Sequence, residues 1–224
     1  LEPRVQGLQP AAASRRFPSY LAPAMTQLPE LPLTLSRQEI RKMIRQRRRT
    51  LTPEQQQEMG QQAATRMMTY PPVVMAHTVA VFLSFDGELD TQPLIEQLWR
   101  AGKRVYLPVL HPFSAGNLLF LNYHPQSELV MNRLKIHEPK LDVRDVLPLS
   151  RLDVLITPLV AFDEYGQRLG MGGGFYDRTL QNWQHYKMQP VGYAHDCQLV
   201  EKLPVEKWDI PLPAVVTPSK VWEW

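Results

Sequence analysis

Short runs of apolar, β-branched residues recur along this chain, and segments with helical character separate several of them. The runs are too short for core helices and lack the alternation of a half-exposed strand, so they indicate strands buried on both faces. They occupy residues 78–84, 104–109, 153–157, 190–194 and 214–217. Buried parallel strands need crossover connections, usually helices. The sequence therefore predicts an α/β fold: a single domain with a mainly parallel sheet flanked by helices, in a Rossmann-like three-layer arrangement.

Helix-start signals define where regular structure begins. Ser36–Glu39 and Thr52–Gln55 both fit a capping box, and the second has proline at its first helical position. These signals predict helices over 36–50 and 52–70. The other predicted elements are helices at 91–101 and 175–185 and a looser antiparallel pair formed by 117–123 and 128–138.

The first part of the chain has a different composition. Six prolines fall within the first 35 residues, where neither a helical nor a strand period is present. Proline fixes its own φ and donates no backbone hydrogen bond, so regular structure does not propagate through such a stretch. We therefore predict a disordered tail over residues 1–34 and one folded domain over residues 35–224.

Positive charge is concentrated in one segment. Residues 37–49 hold seven basic residues and one acid, a net charge of +6, whereas the whole chain carries only +3. The rest is therefore mildly acidic. Seven cations on one helix would suit a phosphate backbone, so an RNA-binding α/β protein that uses helix 37–49 is the alternative function. Ile40, Met43, Ile44 and Leu51 give this helix an apolar side, which favours packing on the domain instead.

Cysteine content and hydropathy indicate the cellular compartment of the protein. Cys197 is the only cysteine of the chain, so the chain contains neither an internal disulfide nor a multi-cysteine zinc site. No run of ~18 apolar residues is present, which argues against a membrane-spanning helix. We expect a cytoplasmic protein that contacts no membrane.

A glycine-rich loop carries most of the chemical information. Four glycines fall within residues 170–174, between a predicted strand and a predicted helix, and Arg168 and Arg178 flank them. Glycine lets backbone amides approach a ligand closely, and arginines neutralise phosphate charge. The loop therefore indicates a polyphosphate cradle, although it matches neither the Walker lysine loop nor the dinucleotide fingerprint. Asp177, at the helix start, is equally compatible with a helix cap and a Mg²⁺ ligand.

Two other segments follow predicted strands and so lie where ligands bind in open α/β sheets. They are Ser84–Glu88 and Ala194–Asp196. His195 and Asp196 next to Cys197 resemble a nucleophile and its base only superficially, because sequence neighbours seldom form such a pair. We interpret those three as structural residues.

The sequence resembles the 5-formyltetrahydrofolate cyclo-ligase family from about Arg37 to the C-terminus. The residues of the glycine-loop region that carry the resemblance are Leu155–Pro158, Phe162, Asp163, Gly166, Arg168–Gly170 and Gly172–Arg178. Further matches are Arg37, Arg41, Phe82–Ser84, Glu88, Leu203, Pro204 and Asp209. The loop motif is long, which makes the resemblance specific.

The resemblance implies an ATP- and Mg²⁺-dependent ligase of one-carbon metabolism. Such an enzyme converts 5-formyltetrahydrofolate, with or without a polyglutamate tail, to 5,10-methenyltetrahydrofolate and releases ADP and phosphate. The formyl oxygen would be phosphorylated and N10 would then attack the formyl carbon. ATP is a co-substrate and Mg²⁺ the cofactor. Nucleic acid is not expected as a partner, and a monomer is expected.

The resemblance also assigns roles to residues. It implies Tyr176 and Arg168 as catalytic residues and Asp177 and Asp209 as metal ligands. The implied folate-binding residues are Leu83, Glu88, Met171, Phe175 and Tyr176. The implied ATP-binding residues are Arg37, Arg41, Arg168, Leu169, Gly170, Met171, Gly172, Gly173, Gly174, Phe175, Tyr176 and Arg178.

The loop departs from the family's pattern at three positions. Met171 and Gly173 stand where many relatives carry Arg and Lys, and Phe175 replaces a frequent Tyr. Two phosphate-neutralising charges are therefore missing from the loop. Arg178, Lys220 or the first helix are the candidates to replace them.

Overall fold

The computed structural model describes residues 35–224. The tail predicted at 1–34 lies outside the described residues. The helices are α1 (Arg37–Arg49), α2 (Pro53–Thr69), α3 (Pro71–Met75), α4 (Gln92–Arg100) and α5 (Phe175–Leu180). Both predicted capping boxes are present, at Ser36 and at Thr52. No helix in this part of the chain is long and apolar enough to cross a membrane.

The strands form one large sheet and two small ones. Their bounds are β1 (Thr78–Ala80), β2 (Arg104–Leu110), β3 (Leu118–Tyr123), β4 (Leu129–Met131), β5 (His137–Pro139), β6 (Val146–Leu147), β7 (Val154–Thr157), β8 (Ala161–Asp163), β9 (Arg168–Leu169), β10 (Gln189–Tyr193), β11 (Leu199–Val200), β12 (Ala214–Val216) and β13 (Val221–Glu223). The large sheet has the order β13-β12-β10-β7-β1-β2-β3-β6. Its five central strands, from β12 to β2, are parallel to one another, which confirms the predicted fold class. The outer pairs β12–β13, β2–β3 and β3–β6 are antiparallel.

Strand alternation divides the core between the two faces of the sheet. Val79 contacts the cluster that α2 and α4 cover, whereas Ala80 belongs to the cluster on the opposite face with Leu180 of α5 and Trp222 of β13. Helix α1 does not cover the large sheet. Its Ile40 and Ile44 pack against the three-stranded sheet β11-β8-β9, in a third cluster.

Several predicted elements need correction. The strand expected over 78–84 ends at Ala80, because the Thr91 hydroxyl donates to the Phe82 carbonyl and accepts from the Ser84 amide in place of a neighbouring strand. The helix expected over 175–185 ends at Leu180, where Asn182 takes a left-handed φ of 59°. Strands β6, β8, β9, β11 and β13 were not predicted.

The antiparallel pair predicted from 117–123 and 128–138 was also wrong. Strand β3 pairs with β2 and β6, whereas β4 and β5 pair with each other in a separate hairpin. The hairpin turn is stabilised locally, since the Asn132 side-chain oxygen accepts from the amides of Leu134 and Ile136. Lys135 in that turn has a left-handed φ of 59°.

Candidate functional site

A cavity of about 680 Å³ opens at the carboxyl ends of the central strands. The chain runs from β1 outward to β2 on one side and from β7 through β10 to β12 on the other, so the strand order reverses between β1 and β7. Ligands of open α/β sheets bind at such a reversal. Leu83, which follows β1, and Pro158, which follows β7, both line the cavity.

The glycine loop forms one wall of this cavity. Residues 170–174 all line it, between β9 and α5. Gly172 and Gly174 have φ angles of 110° and 69°, which side chains other than glycine rarely adopt. Gly170 lies close to Arg168, whose Nη1 would be 3.0 Å from a Cβ at that position. The loop therefore brings bare backbone to the cavity surface between two arginines, Arg168 and Arg41.

Arg41 of α1 lies beside that backbone. Its Nε donates to the Gly170 carbonyl at 2.7 Å, and its guanidinium carbon would lie 3.7 Å from a Cβ on Gly172. The residue is 6% exposed, and among residues 35–224 no carboxylate lies within 4.0 Å of its guanidinium. Burial, followed by repulsion from Arg37 and Arg45, lowers the pKa of Arg41. A buried cation without an acidic partner is suited to an anionic ligand.

The predicted metal ligands are each paired with an arginine. Asp177 accepts from Arg168 Nη2 at 2.8 Å and from the Ile210 amide at 3.2 Å, both through Oδ1. Asp209 accepts from Arg37 through both of its oxygens, at 2.6 and 3.1 Å. Among the described residues, no three His, Cys, Asp or Glu side chains gather into a group that could hold a metal ion by themselves.

Glu88 and Tyr176 contribute two further polar side chains to the cavity. Both line it, and the Glu88 carboxylate accepts from the Phe85 amide at 3.0 Å. Burial raises the pKa of Glu88 to about 7, although nearby Arg48 acts in the opposite direction. Burial and the charge of Glu88 raise the pKa of Tyr176, and its buried hydroxyl has no hydrogen-bond partner in the part of the chain that the structure describes.

Some predicted site residues lie off the cavity. Leu169 is fully buried against Ile40 and Ile44 and does not line the cavity. The Arg178 guanidinium donates to the carbonyls of Gly116 and Gly173, and thereby ties the glycine loop to the β2–β3 turn.

The structure also separates the three candidates for the missing loop charges. Lys220 lies 4.0 Å above the Trp222 ring, and neither it nor Arg178 lines the cavity. Of the three candidates, only helix α1 brings cations to the cavity lining, Arg37 and Arg41, and Arg37 is already paired with Asp209.

Sequence reasoning missed several residues that line the cavity. The β4–β5 hairpin contributes Leu134 and Ile136, and the exposed Trp208 lies next to Asp209. The signal for the hairpin was its apolar residues in an otherwise polar segment. Pro108 and Leu110, at the carboxyl end of β2, could have been found by the strand-end rule already applied to the neighbouring strands.

The other four arginines of α1 contact the protein, whereas Lys42 is exposed. Arg45, Arg48 and Arg49 all lie within 4.0 Å of the Asp86 carboxylate, and the Arg47 guanidinium donates to the Cys197 carbonyl. Arg48 is only 3% exposed. A helix whose arginines are paired or buried in this way offers no continuous cationic face, which weighs against the RNA-binding alternative.

The side chains of His195, Asp196 and Cys197 make their hydrogen bonds outside this trio, in keeping with their interpretation as structural residues. His195 Nε2 lies 3.2 Å from the Gly87 carbonyl, and the Asp196 carboxylate accepts from the Ser219 hydroxyl. Burial raises the pKa of the Cys197 thiol to about 11, so the thiol is not activated.

Comparison with known proteins gives a consistent family. The model of the 5-formyltetrahydrofolate cyclo-ligase family matches residues 34–218. A 5-formyltetrahydrofolate cyclo-ligase of Escherichia coli (strain K12) is 98% identical over 182 residues, which cover 81% of this chain and 100% of the relative. One from Haemophilus influenzae is 53% identical over 179 residues, which cover 80% of this chain and 96% of the relative.

The fold is shared with a solved structure. The NMR structure of Aquifex aeolicus 5,10-methenyltetrahydrofolate synthetase superposes with a TM-score of 0.72 at 28% sequence identity. The match covers 84% of this chain and 93% of that one. The fold described above is therefore shared with a protein of that name.

Proposed function

The chain belongs to the 5-formyltetrahydrofolate cyclo-ligase family, and from that premise we propose that its cavity uses ATP to convert 5-formyltetrahydrofolate to 5,10-methenyltetrahydrofolate. The chain is an enzyme, a 5-formyltetrahydrofolate cyclo-ligase. The observation that carries the proposal is one cavity with two kinds of lining. The glycine loop with Arg41, named here the phosphate end, gives bare backbone and a cation. Glu88 with its apolar neighbours, named here the folate end, gives a carboxylate and apolar contact.

The chemistry requires the formyl oxygen to leave. The γ-phosphoryl group of ATP is transferred to that oxygen, which gives ADP and a phosphate ester of an N5-iminium carbon. N10 attacks this carbon and loses its proton, and the C–O bond breaks to release phosphate. The formyl oxygen ends in the phosphate, and the product holds the carbon between N5 and N10. Catalysis of such a transfer is mainly positioning and charge neutralisation.

The loop end of the cavity suits the triphosphate. Backbone at 170–174 allows phosphate oxygens to approach, and Arg41 offers a buried guanidinium with no carboxylate partner among the described residues. Arg37 lies one turn earlier on the same helix, on the side of Asp209. We assign ATP binding to these two arginines and to residues 168–176. The Arg178 side chain acts through the loop, since it holds the Gly173 carbonyl.

The transferring phosphoryl group would lie between Arg168 and Tyr176. Arg168 is held by Asp177, and its buried Nε has no partner among residues 35–224. The Tyr176 hydroxyl is equally unpaired there. A buried polar group without a partner costs about 1–3 kcal/mol, which a ligand oxygen would recover. Both groups are thus available to donate to oxygens that gain charge during the transfer.

The folate end suits the pterin and the benzoyl ring. Leu83 gives apolar contact there, Met171 and Phe175 add apolar contact from the adjoining loop, and Glu88 presents a carboxylate to pterin N–H groups. A charge-assisted hydrogen bond of this kind requires Glu88 to be ionised. The residue's raised pKa of about 7 makes that condition depend on pH near neutrality.

The donor set at Asp177 fits Mg²⁺ shared with phosphate. Both hydrogen bonds of Asp177 use Oδ1, which leaves Oδ2 for a cation. Magnesium is usually bound by one or two carboxylates with phosphate and water oxygens, and when bound it would neutralise charge on the phosphates. Asp209 as a second ligand would first have to exchange its two contacts with Arg37.

An absorbance assay tests the proposed reaction. The purified chain is mixed with 5-formyltetrahydrofolate, Mg²⁺ and ATP, and formation of the methenyl chromophore is followed together with release of ADP. We expect stoichiometric product and ADP. Chromophore formation that is independent of ATP, or none at all, would contradict the proposal.

Arg41→Gln tests the phosphate end. We expect the KM for ATP to rise about 10- to 100-fold, because a charge-assisted hydrogen bond contributes about 1.5–3 kcal/mol. Lys42→Gln is the matched control, since it removes an adjacent but exposed cation of α1. Equal values in the two variants would return Arg41 to a structural role.

Asp177→Asn tests the metal site. The variant keeps the volume and one acceptor oxygen but loses the charge that attracts Mg²⁺. We expect a Mg²⁺ titration of activity to need at least tenfold more metal than the unchanged chain. An unaltered Mg²⁺ dependence would remove Asp177 from the metal site.

A further inference from the structure

The turn that presents Glu88 to the cavity has an uncommon backbone. Asp86 and Gly87 both have left-handed φ angles, 52° and 76°. The turn is closed by the Glu88 amide, which donates to the Phe85 carbonyl at 3.1 Å. A residue other than glycine persists with positive φ only where its surroundings enforce it. The groups that hold residues 85–88 (the Glu88 turn) therefore bear on how Glu88 meets its ligand.

Arg48 of α1 packs against the Glu88 turn. It does not line the cavity, and its Nη2 lies 3.8 Å from Asp86 Oδ2. A Cβ on Gly87 would lie 3.3 Å from the Arg48 Cβ, so the Gly87 backbone rests directly on the Arg48 side chain. Arg48 is 3% exposed, and its buried Nε has no partner among the described residues.

The Gly87 carbonyl is fixed from another direction. Gln56 Nε2 donates to it at 3.2 Å, and His195 Nε2 lies 3.2 Å away. A carbonyl only accepts, so the neutral His195 carries its proton on Nε2. The Glu88 turn is thus held between α1, α2 and the segment after β10.

The groups that face Glu88 come from each of the surrounding elements. Arg48 lies on α1, Asp86 on the turn itself, Tyr176 on α5, and the neutral His195 follows β10. Of these four, Arg48 carries the only positive charge. Burial favours protonated Glu88, and the cation of Arg48 favours the carboxylate.

We propose that Arg48 is a positioning residue for folate recognition, which holds the Glu88 turn in place without touching either substrate. This deepens the proposed function and rests on it. The same arginine therefore links the geometry of the folate end to its pH dependence. Arg48 thereby has a proposed role in the reaction although it does not line the cavity.

The test compares Arg48→Met with Arg49→Met. The two variants lose the same charge at adjacent positions, and both arginines contact Asp86, but Arg49 is exposed and makes only a surface ion pair. For Arg48→Met we expect the KM for 5-formyltetrahydrofolate to rise at least tenfold, with the KM for ATP changed less than twofold. Arg49→Met should match the unchanged chain in both.

The pH profile separates positioning from general damage. In the unchanged chain, kcat/KM for 5-formyltetrahydrofolate should fall as the pH drops through about 7. Arg48→Met should move this acid limb upward by about one pH unit, because an opposite charge nearby lowers a carboxyl pKa by roughly 1–3 units. Equal profiles for Arg48→Met and Arg49→Met would overturn the proposal.

Arg48→Lys keeps the test decisive if the methionine variant does not fold. Lysine retains the charge but not the planar guanidinium. We expect a raised folate KM with the acid limb near its original pH. A folate KM within twofold of the unchanged chain would contradict the positioning role. An unchanged chain that forms no ATP-dependent product would instead refute the proposed function on which this rests.

Discussion

At the scale of single residues, burial decides what each arginine of α1 does. Arg37 is paired with Asp209, Arg41 contacts backbone and cavity, and Arg48 lies under the Glu88 turn. Arg49, which is exposed, adds only a surface ion pair to Asp86. Ion pairs at the surface contribute little, whereas a buried cation must find compensation in the fold or in a ligand. Helix α1 therefore places arginines at the cavity, Arg37 and Arg41, and another, Arg48, under the Glu88 turn.

The buried carboxylate of Glu88 is expected to lower the free energy of unfolding at neutral and higher pH. Its folded pKa of about 7 lies above the unfolded value near 4.5. The folded state therefore holds the proton more tightly, and the free energy of unfolding falls as the pH rises from about 4.5 to 7. Glu88→Gln removes this loss. We expect the variant to be more stable at pH 8 by roughly 1–2 kcal/mol, after allowing for water in the cavity.

Urea unfolding at pH 8 and pH 5 measures this effect. The variant should gain stability at pH 8 and show little gain at pH 5, while its folate KM rises. A variant that is less stable at pH 8 would show that the charged carboxylate is compensated in the fold.

At the scale of elements, the short α5 and the glycine loop before it form the part of the cavity that we assign to phosphate. Helix α5 has only six residues. Most of this part of the lining is therefore loop backbone, residues 170–174. Arg178 of α5 reaches back to the Gly173 carbonyl and across to Gly116. The loop is thus held by its own helix and by the β2–β3 turn.

Gly172→Ala tests the loop as an element. Its φ of 110° is unfavourable for alanine, and the new Cβ would lie 3.7 Å from the Arg41 guanidinium carbon. Because the loop is exposed, it can relax, and the cost should appear in binding. We expect the KM for ATP to rise about tenfold, equivalent to about 1.4 kcal/mol.

Gly102→Ala is the matched control for that experiment. Gly102 also has a left-handed φ, 75°, but a Cβ there meets nothing within 4 Å and the residue follows α4. It should lose about 1 kcal/mol of stability with an unchanged KM for ATP. A similar rise in KM for both variants would mean that backbone strain alone, and not the loop, weakens ATP binding.

At the scale of the whole molecule, the reversal of strand order creates the cavity and several layers converge on it. Segments from α1, the large sheet, the β4–β5 hairpin and the glycine loop all border it. His195 lies behind this assembly, 1% exposed, and joins the segment after β10 to the Glu88 turn. Burial lowers the pKa of His195 to about 4.

Acid should therefore destabilise the whole fold through His195. The unfolded chain binds the proton near pH 6.5 and the folded chain only near pH 4, so stability falls as the pH drops through that window. We expect a contribution of about 2 kcal/mol between pH 7.5 and pH 5. Urea unfolding of His195→Gln should show a smaller difference between these two pH values. An identical difference would assign the acid sensitivity to other groups.

The sequence by itself determined the fold class, both capped helices and the central strands, because these depend on local periodicity and on residues three or four apart. Its motif also identified the family, which the comparisons confirm. It did not predict the three-stranded sheet or the pairing of β4 with β5. Two- and three-residue strands carry almost no periodic signal.

Only the tertiary structure decided which cations serve which purpose. The basic segment 37–49 reads as seven similar charges, yet their partners come from residues 86, 170, 197 and 209. Burial and pairing at such sequence distances depend on how α1 packs against the small sheet, which no local pattern records. The same packing places Arg48 under a turn that begins 37 residues after it. Long-range packing therefore gives the arginines of one basic helix different surroundings, from which we propose a phosphate contact for Arg41 and a support for folate recognition in Arg48.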